Sequence, residues 1–287
     1  MILMLSSPKL EIIVLLAAFI VASSTENWAI LLCTSRYFFN YRHFVNALSV
    51  YKTIKDAGYT DDRIIFMNSD DDITCDARNP IPGQVNSDIG VNFFRNLSDH
   101  IELDYKGTEE VTVDAFLRLL VGRAHSFAQL SQRLRSDGDS HVLLYMTGHG
   151  GDEFFKFQDQ EELSAQEFAY AIEDMYKRDR FLELLVVLDT CQAATMCAYI
   201  DTPNVICVGS SSRGENSYAY IPDQELGLPL TDRFTYAFSE YISRHFSVGR
   251  SSDVSLRSLL DSLDTRFLQV SYGRTFSHVQ TIILIWF

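Results

Sequence analysis

The stretch "HVLLYMTGHGG", residues 141–151, sets the expectation for the whole fold. A continuous apolar run ends abruptly in a histidine that lies between glycines. A run without polar alternation is typical of a strand buried on both faces, and hence of a parallel sheet covered by helices. A second stretch, "LLVVLDTCQAA" (184–194), has the same form and ends on a cysteine. Each stretch predicts a buried strand with a reactive side chain at its carboxyl end.

Similar apolar runs recur along the chain and alternate with segments of helical periodicity. Alternating strands and helices predict an α/β fold with a doubly wound, mostly parallel sheet. Ser164 and Glu167 have the spacing of a capping box, which predicts that a helix begins after Ser164. The predicted strands are Trp28–Cys33, Arg63–Met67, Val142–Met146, Leu184–Leu188 and Val205–Val208. The predicted helices are His43–Ala57, Thr112–Leu120, Phe127–Arg135, Ala165–Lys177, Arg233–His245 and Leu256–Phe267.

Length and charge restrict the class of protein. With 287 residues, 47% of them hydrophobic, the chain can bury one sizeable core. The formal charge of −14 disfavours nucleic acid as a partner, since an acidic surface repels phosphates. The polar segment 68–106 is rich in Asp, Asn, Gly and Pro, and it is predicted to form a long surface loop.

The two ends of the chain differ from the rest. An apolar stretch, Ile12–Ala22, follows Lys9 and precedes two serines, which is typical of a secretory signal peptide. Residues 1–24 are therefore predicted to be a signal peptide and 25–270 a single catalytic domain. The remaining 271–287 form a divergent tail whose apolar end is too short to span a membrane. Two explanations of this short tail stay open. The chain is a truncated or alternative product, or it is a natural form that is held by its partners.

The cysteine count is informative in a secreted chain. Five cysteines cannot all pair within one molecule, so at least one is free or pairs with another chain. Cys33 and Cys207 lie in strand-like runs and are predicted to be buried free thiols. Asn96 begins the one glycosylation sequon, on the predicted surface loop.

His149 and Cys191 form the candidate catalytic pair. Each follows a predicted strand, and one strand–helix–strand crossover separates them, so both should emerge at the same edge of the sheet. Imidazole is the usual base that activates a thiol. The backbone N–H groups of Gly150 and Cys191 are candidate donors to an oxyanion. Taken singly, each side chain is more simply a loop or core residue, and metal ligation lacks a CxxC or HxxxH pair.

At these residues the sequence resembles the legumain-type cysteine peptidases of the caspase-like clan, and within them the catalytic subunits of GPI transamidases. The resemblance covers roughly residues 27–245 and implies a caspase-like three-layer sandwich with a mostly parallel central sheet flanked by helices. Legumain carries an acidic residue after the nucleophile, whereas here Gln192 follows Cys191, as in the transamidases. The matching stretches are "NWAILLCTSRYFFNYRHFVNALSVYKTIKDAGYTDDRIIFM" (27–67), "EEVTVDAFLRLLVGR" (109–123), "YMTGHGGDEFFKFQD" (145–159) and "LLVVLDTCQAATM" (184–196).

The resemblance implies a role for several residues. Cys191 matches the nucleophile, His149 the general base, and Asn40 the residue that orients the histidine. Arg42 matches the floor of the substrate pocket, for which Ser211 and Asp232 are further candidates. A structural ion pair is the simpler role for Arg42. Cys75 corresponds to a cysteine that bridges to a partner subunit. A calcium site would use Asp61, Glu102, Asp104 and the backbone carbonyl of Ile64, although a solvated acidic face explains those acids equally well.

The resemblance also implies an activity. It is cleavage of a C-terminal signal from proproteins and transfer of the acyl group to the amine of a GPI glycolipid, in the lumen of the endoplasmic reticulum. The chemistry needs no cofactor. The partners would be the other subunits of a membrane-embedded complex, one of them disulfide-linked, which hold the chain at the membrane. Two alternatives stay open: a legumain-like asparaginyl endopeptidase and a catalytically idle scaffold subunit.

Overall fold

The central sheet is built from the apolar runs that predict buried strands. The computed structural model describes residues 27–70, 73–79, 101–224, 227–245 and 256–277. All five predicted strands are present, each within one residue of its predicted bounds. The strands are β1 (Asn27–Cys33), β2 (Ile64–Asn68), β3 (Tyr105–Lys106), β4 (His141–Thr147), β5 (Gly150–Gly151), β6 (Phe154–Phe157), β7 (Glu161–Ser164), β8 (Glu183–Asp189), β9 (Val205–Gly209) and β10 (Gly273–Ser277).

Strand order determines which strand ends meet. Within the described part of the chain, seven strands form one sheet in the order β10-β9-β8-β4-β1-β2-β3, and every pairing is parallel except that of β10 with β9. Cys33 on β1 pairs with Thr147 on β4, which in turn pairs with Asp189 on β8. The carboxyl ends of three adjacent strands are thus level with one another. Strands β5, β6 and β7 form a small antiparallel sheet beside that edge.

Helices cover both faces of the sheet, as the pattern predicts. The described helices are α1 (Tyr41–Asp56), α2 (Gly107–Glu110), α3 (Val113–Leu120), α4 (Ala165–Lys177), α5 (Arg233–His245), α6 (Leu256–Ser262) and α7 (Thr265–Leu268). Side chains alternate along β1: Ala29 and Leu31 pack under α1, α5 and α6, whereas Trp28 and Ile30 pack under α3 and α4. This gives the predicted three-layer sandwich with two apolar cores.

The start of α4 confirms the predicted capping box. The Ser164 hydroxyl accepts from the Glu167 backbone N–H, and the Glu167 carboxylate accepts from the Ser164 backbone N–H. These two bonds satisfy donors that the first turn of a helix otherwise leaves without partners. The local sequence alone therefore places this helix end correctly.

Two helix predictions are wrong. Residues Phe127–Arg135 form turns instead of a helix, because two of their large apolar side chains have no core to pack against: Phe127 is 88% and Leu130 is 68% exposed. The predicted helix Leu256–Phe267 is two helices, α6 and α7. The break lies at Leu263–Asp264, where the Asp264 carboxylate accepts from the Arg266 backbone N–H and begins a new helix.

The structure also corrects one cysteine. Cys207 on β9 forms a disulfide with Cys197, so its prediction as a free thiol is wrong. Its side chain points to the sheet face against which residues 193–197 pack, and this proximity is not visible in the sequence. Cys33 is a buried free thiol, as predicted.

Several predictions fall on residues outside the described ones. They are the signal peptide 1–24, Asn96 with most of the predicted surface loop, and 278–287 of the predicted tail. The sheet itself continues into that tail through β10. No helix among the described residues is long and apolar enough to cross a membrane.

Candidate active site

His149 and Cys191 occupy equivalent positions on adjacent strands. Thr147 pairs with Asp189, and each of the two candidate residues lies two positions beyond that pair. The Gly148 N–H donates to the Asp189 carbonyl at 3.4 Å, which holds the two strand ends together past the last ladder pair. Both side chains are half-buried, and Cys191 is a free thiol. The parallel sheet brings the two groups to one edge, as the sequence predicts.

Asn40 reaches the same edge from the 3-10 turn Phe38–Asn40, which follows β1, the strand on the other side of β4. Its Oδ1 lies 2.8 Å from His149 Nε2, and its Nδ2 donates to the Arg36 carbonyl at 2.7 Å. Because an amide oxygen only accepts, Nε2 must carry the proton, and the lone pair of the neutral ring is on Nδ1. Nδ1 is the nitrogen that could take a proton from a thiol.

Electrostatics keeps the His149 ring neutral. Burial, together with the positive charge of Arg42, holds the pKa of His149 below its ordinary value. His43 packs edge-on against the His149 ring at 4.9 Å, and its own pKa is also lowered, chiefly by burial. A neutral imidazole is the form that acts as a base. His149 is therefore ready to accept a proton near neutral pH.

Two glycines make the close approach of these strand ends possible. A Cβ on Gly148 would lie 2.3 Å from Thr34 Oγ1, and one on Gly150 would lie 2.7 Å from Thr190 Oγ1. A Cβ at either position would force the facing threonine side chain to shift, which favours glycine there. Gly150 thus lies against the residue that precedes Cys191. Its predicted role as an oxyanion donor stays a prediction.

The Cys191 turn is fixed by a neighbouring loop. Gln192 adopts a left-handed backbone conformation with φ of 54°; its N–H donates to the Glu215 carbonyl, and its side-chain oxygen accepts from Gly214 N–H. The Ser211 hydroxyl donates to the Thr190 carbonyl at 2.8 Å and accepts from Ala193 N–H. Ser211 is fully buried beneath the turn. These contacts make it a support of the Cys191 turn, and a direct contact with substrate stays a prediction.

Arg42 and Asp232 are brought together beside the histidine. Arg42 Nε donates to Asp232 Oδ1 at 3.1 Å, and Asn46 Nδ2 donates to Asp232 Oδ2 at 2.6 Å. The Asp232 side chain is 3% exposed, whereas that of Arg42 is 22% exposed. The guanidinium therefore presents one side to solvent while the carboxylate anchors it from below.

Asp189 is a buried site residue that the sequence analysis missed. It accepts from the Ser217 hydroxyl at 2.7 Å and from the Thr235 hydroxyl at 2.5 Å. Burial, and then the charge of Asp232, raise the pKa of Asp189 to about 7. One feature of the sequence could have identified Asp189: it is a carboxylate that ends an otherwise apolar strand, immediately before Thr190 and Cys191.

The predicted calcium ligands are near one another but engaged elsewhere. The Asp61 carboxylate accepts from Tyr51 Oη at 2.6 Å and from Lys55 Nζ at 2.7 Å, and the Asp104 carboxylate accepts from the Phe66 backbone N–H. Burial raises the pKa of Asp104 to about 6, and the charge of Glu102 adds to this. Among the residues that the structure describes, no three His, Cys, Asp or Glu side chains are grouped to hold a metal ion. Calcium bound by Asp61, Glu102, Asp104 and the Ile64 carbonyl stays a prediction.

Cys75 lies in the segment that follows β2. It ends a short 3-10 turn, Ile73–Cys75, and is an exposed free thiol. Exposure is what a bridge to another chain requires, but the link itself stays a prediction.

The chain is similar in sequence to a known peptidase family and to named members of other organisms. The model of the peptidase C13 family matches residues 27–281. The chain is 43% identical over 245 residues to the GPI-anchor transamidase of Saccharomyces cerevisiae, which covers 85% of this chain and 58% of the yeast protein. It is 45% identical over 220 residues to the GPI-anchor transamidase of Homo sapiens, covering 76% of this chain and 54% of the human protein. The chain thus spans less than two thirds of either relative.

A solved structure shares the fold. Caspase-1 from Spodoptera frugiperda superposes with a TM-score of 0.52 at 11% identity, over 90% of this chain and 88% of that one. This likeness confirms the caspase-like sandwich.

Proposed function

The chain belongs to the peptidase C13 family, and on that premise we propose that it is the catalytic subunit of a GPI transamidase. Its reaction would be acyl transfer through a thioester on Cys191. The observation that carries the proposal is the hydrogen bond between Asn40 Oδ1 and His149 Nε2, at a strand end level with that of Cys191. It leaves His149 Nδ1 as the base. The names of the yeast and human relatives support the substrate class.

The first half of the reaction forms the thioester. His149 Nδ1 takes the thiol proton while Cys191 Sγ attacks a carbonyl near the C-terminus of a proprotein. Gly150 and Cys191 N–H groups are proposed to stabilise the oxyanion. The C–N bond then breaks, and His149 returns the proton to the leaving amine, which carries off the C-terminal signal.

The second half releases the acyl group. The amine of a GPI glycolipid attacks the thioester, and His149 takes a proton from that amine. The C–S bond breaks, and the Cys191 thiolate recovers the proton from His149. The product is the proprotein joined to the glycolipid through an amide. Arg42, with Asp232 behind it and Ser211 below the Cys191 turn, is proposed to form the floor of the substrate pocket.

Substitution of the nucleophile tests this function. Cys191→Ala should abolish anchor attachment in cells while the protein accumulates at the normal level. An electrophilic peptide analogue should label the parent protein at Cys191 and leave the variant unlabelled. Attachment at the normal rate in cells that express only the variant would exclude the proposal.

The runner-up is a legumain-like asparaginyl endopeptidase, in which water resolves the same thioester. Gln192, where legumain has an acidic residue, disfavours it. Purified chain that cleaves asparagine-containing peptides without any partner would favour it. Labelling of Cys191 would exclude the idle scaffold.

The cellular location of the chain and its covalent attachments are also proposals. The names of the relatives support an enzyme associated with the endoplasmic reticulum, and we place the chain on its lumenal side, held at the membrane by partner subunits. Cys75 is the proposed point of a disulfide to one of them. Asn96 is the proposed glycosylation site. Calcium takes no part in the proposed chemistry.

A further inference from the structure

The turn that carries Asn40 begins with a strained residue. Tyr37 has φ of 71° and ψ of 150°, and it directly precedes the 3-10 turn Phe38–Asn40. This region of backbone conformation is occupied almost only by glycine, because a Cβ there collides with the chain itself. A tyrosine keeps such a conformation only where neighbouring contacts hold it. Burial of the ring is not that contact, since Tyr37 is 54% exposed.

A carboxylate holds the backbone of Tyr37. Asp70 Oδ2 accepts from the Tyr37 backbone N–H at 2.6 Å, and a charged acceptor makes such a bond strong. Asp70 lies two residues beyond the end of β2, whose last residue pairs with Cys33 at the same sheet edge. The Ser69 N–H donates to the Cys33 carbonyl at 3.0 Å, and the Asn68 side-chain amide donates to the Asp70 carbonyl. The carboxylate is thereby attached to the end of the sheet.

The peptide group between Arg36 and Tyr37 transmits this contact to Asn40. It is a trans peptide, so its C=O and its N–H point to opposite sides. The N–H donates to Asp70, and the C=O accepts from Asn40 Nδ2 at 2.7 Å. The Tyr37 carbonyl also accepts from the Asn40 backbone N–H at 2.9 Å. The conformation of Tyr37 therefore orients both the backbone and the side chain of Asn40.

The orientation of the Asn40 amide decides whether it can bind His149. Because Nδ2 is directed to the Arg36 carbonyl, Oδ1 faces His149 Nε2, 2.8 Å away. Rotation of the peptide group between Arg36 and Tyr37 would take the acceptor away from Nδ2 and leave the amide free to turn. His149 would then lose the partner that keeps the proton on Nε2. A continuous series of hydrogen bonds thus connects Asp70 to the imidazole.

We propose that Asp70 is a positioning residue for His149: its carboxylate holds the strained Tyr37 backbone, which orients the Asn40 amide toward the imidazole. Asp70 acts through Asn40 and takes no part in the proton transfer itself. The inference rests on the proposed function, since it adds a residue to the machinery that prepares His149 for acyl transfer at Cys191.

Two substitutions of Asp70 test this role. The full chain, assembled with its partners, is labelled at Cys191 by a peptide chloromethyl ketone at a series of concentrations. For Asp70→Ala we expect the maximal labelling rate to fall about tenfold, because relaxed conformations of Tyr37 then compete with the strained one. The concentration for half-maximal rate should stay within about twofold of the parent value, since the change acts on the reactive step. Asp70→Asn should keep the rate within about threefold, because its amide oxygen also accepts from the Tyr37 N–H.

A glycine at position 37 supplies the rescue. Glycine adopts a positive φ without strain, so Tyr37→Gly should label within about threefold of the parent rate. Added to Asp70→Ala, it should restore most of the lost rate, which it would not do if Asp70 only stabilised the fold. Asp114→Ala is the control of equal charge: it removes a carboxylate that is 72% exposed on α3 and should leave the rate unchanged.

A second measurement follows the turn without catalysis. Hydrogen exchange of the backbone N–H groups in residues 36–41 is read by mass spectrometry. In Asp70→Ala the exchange should be about tenfold faster than in the parent, because the Tyr37 N–H loses its acceptor and the turn opens more often. In Asp70→Asn it should stay close to the parent rate.

The outcomes separate the two proposals. A maximal labelling rate for Asp70→Ala within about twofold of the parent, or no recovery on adding Tyr37→Gly, would overturn the role of Asp70. Unchanged exchange in residues 36–41 would do the same. Absence of any Cys191 labelling in the parent would overturn the proposed function instead, and the exchange comparison would still decide whether Asp70 holds the turn.

Discussion

At the scale of single residues, one hydrogen bond determines the chemistry available to His149. The Asn40 amide oxygen accepts from Nε2, which leaves Nδ1 as the base. In the proposed acyl transfer the ring becomes an imidazolium, so that bond acquires a charged donor and strengthens. Under this proposal, Asn40 would stabilise the charged intermediate as well as the orientation of the ring.

Removal of this bond should slow the reaction. For Asn40→Ala we expect kcat/KM to fall roughly 10- to 150-fold, since a hydrogen bond to a charged group contributes about 1.5–3 kcal/mol. The measurement is the second-order rate constant of Cys191 labelling, taken at concentrations of peptide analogue well below saturation. Asn40→Asp, which keeps an acceptor, is the control and should lose less; its added negative charge should also move the acidic limb of the rate to higher pH by raising the pKa of His149. A rate within twofold of the parent for Asn40→Ala would contradict the assignment.

At the scale of elements, α4 shows how a local signal fixes a helix end. Ser164 and Glu167 satisfy each other's backbone N–H groups at the exit from β7, close to the hairpin that carries His149 and Gly150. The contrast is residues 127–135, where helical periodicity leads to no helix because the large side chains of Phe127 and Leu130 stay exposed. Periodicity without a surface to cover does not stabilise a helix.

Loss of the cap should destabilise the protein measurably. Ser164→Ala is expected to lower the free energy of unfolding by about 1 kcal/mol, because an N–H at the helix start loses its acceptor. The midpoint of urea unfolding at unchanged m-value measures this. Ser126→Ala, at an exposed serine in a turn, is the matched control and should change the midpoint little. Equal midpoints for the two variants would show that the capping box contributes nothing.

At the scale of the whole molecule, the free thiols differ in what they can reach. Cys33 is buried in the sheet, Cys191 is half-buried at the catalytic edge, and Cys75 is exposed. Burial raises the pKa of Cys33 to about 12, which removes its thiolate at physiological pH. Of these three, Cys75 is the thiol best placed to pair with another chain.

This difference predicts a specific cross-link. The full chain, extracted from membranes and run without reductant, should migrate as a heavier species joined to a partner, and Cys75→Ser should abolish that species. Cys191→Ser removes a different free thiol and should leave the species intact. A cross-link that persists in Cys75→Ser would show that the bridge lies elsewhere.

Most of the sheet, and the placement of His149 and Cys191 at one edge of it, follow from the sequence alone. A strand buried on both faces must be apolar throughout, so its ends are visible as the points where polar residues resume. Parallel pairing then requires the carboxyl ends to meet at one edge, which places His149 near Cys191 without any structure. The same local logic finds the capping box, whose partners are three residues apart.

Contacts between residues that are distant in sequence were decided only by the tertiary structure. Asn46 meets Asp232, Asp189 meets Thr235, and Cys197 meets Cys207. None of these pairs lies within one element, so no periodicity records them. The energies of these contacts depend on burial. Burial arises from the packing of the sandwich and cannot be read from the order of residues along the chain. The candidate pair His149 and Cys191 could therefore be predicted from the sequence, whereas the contacts of the buried Asp189 and Asp232 side chains are determined only by the tertiary structure.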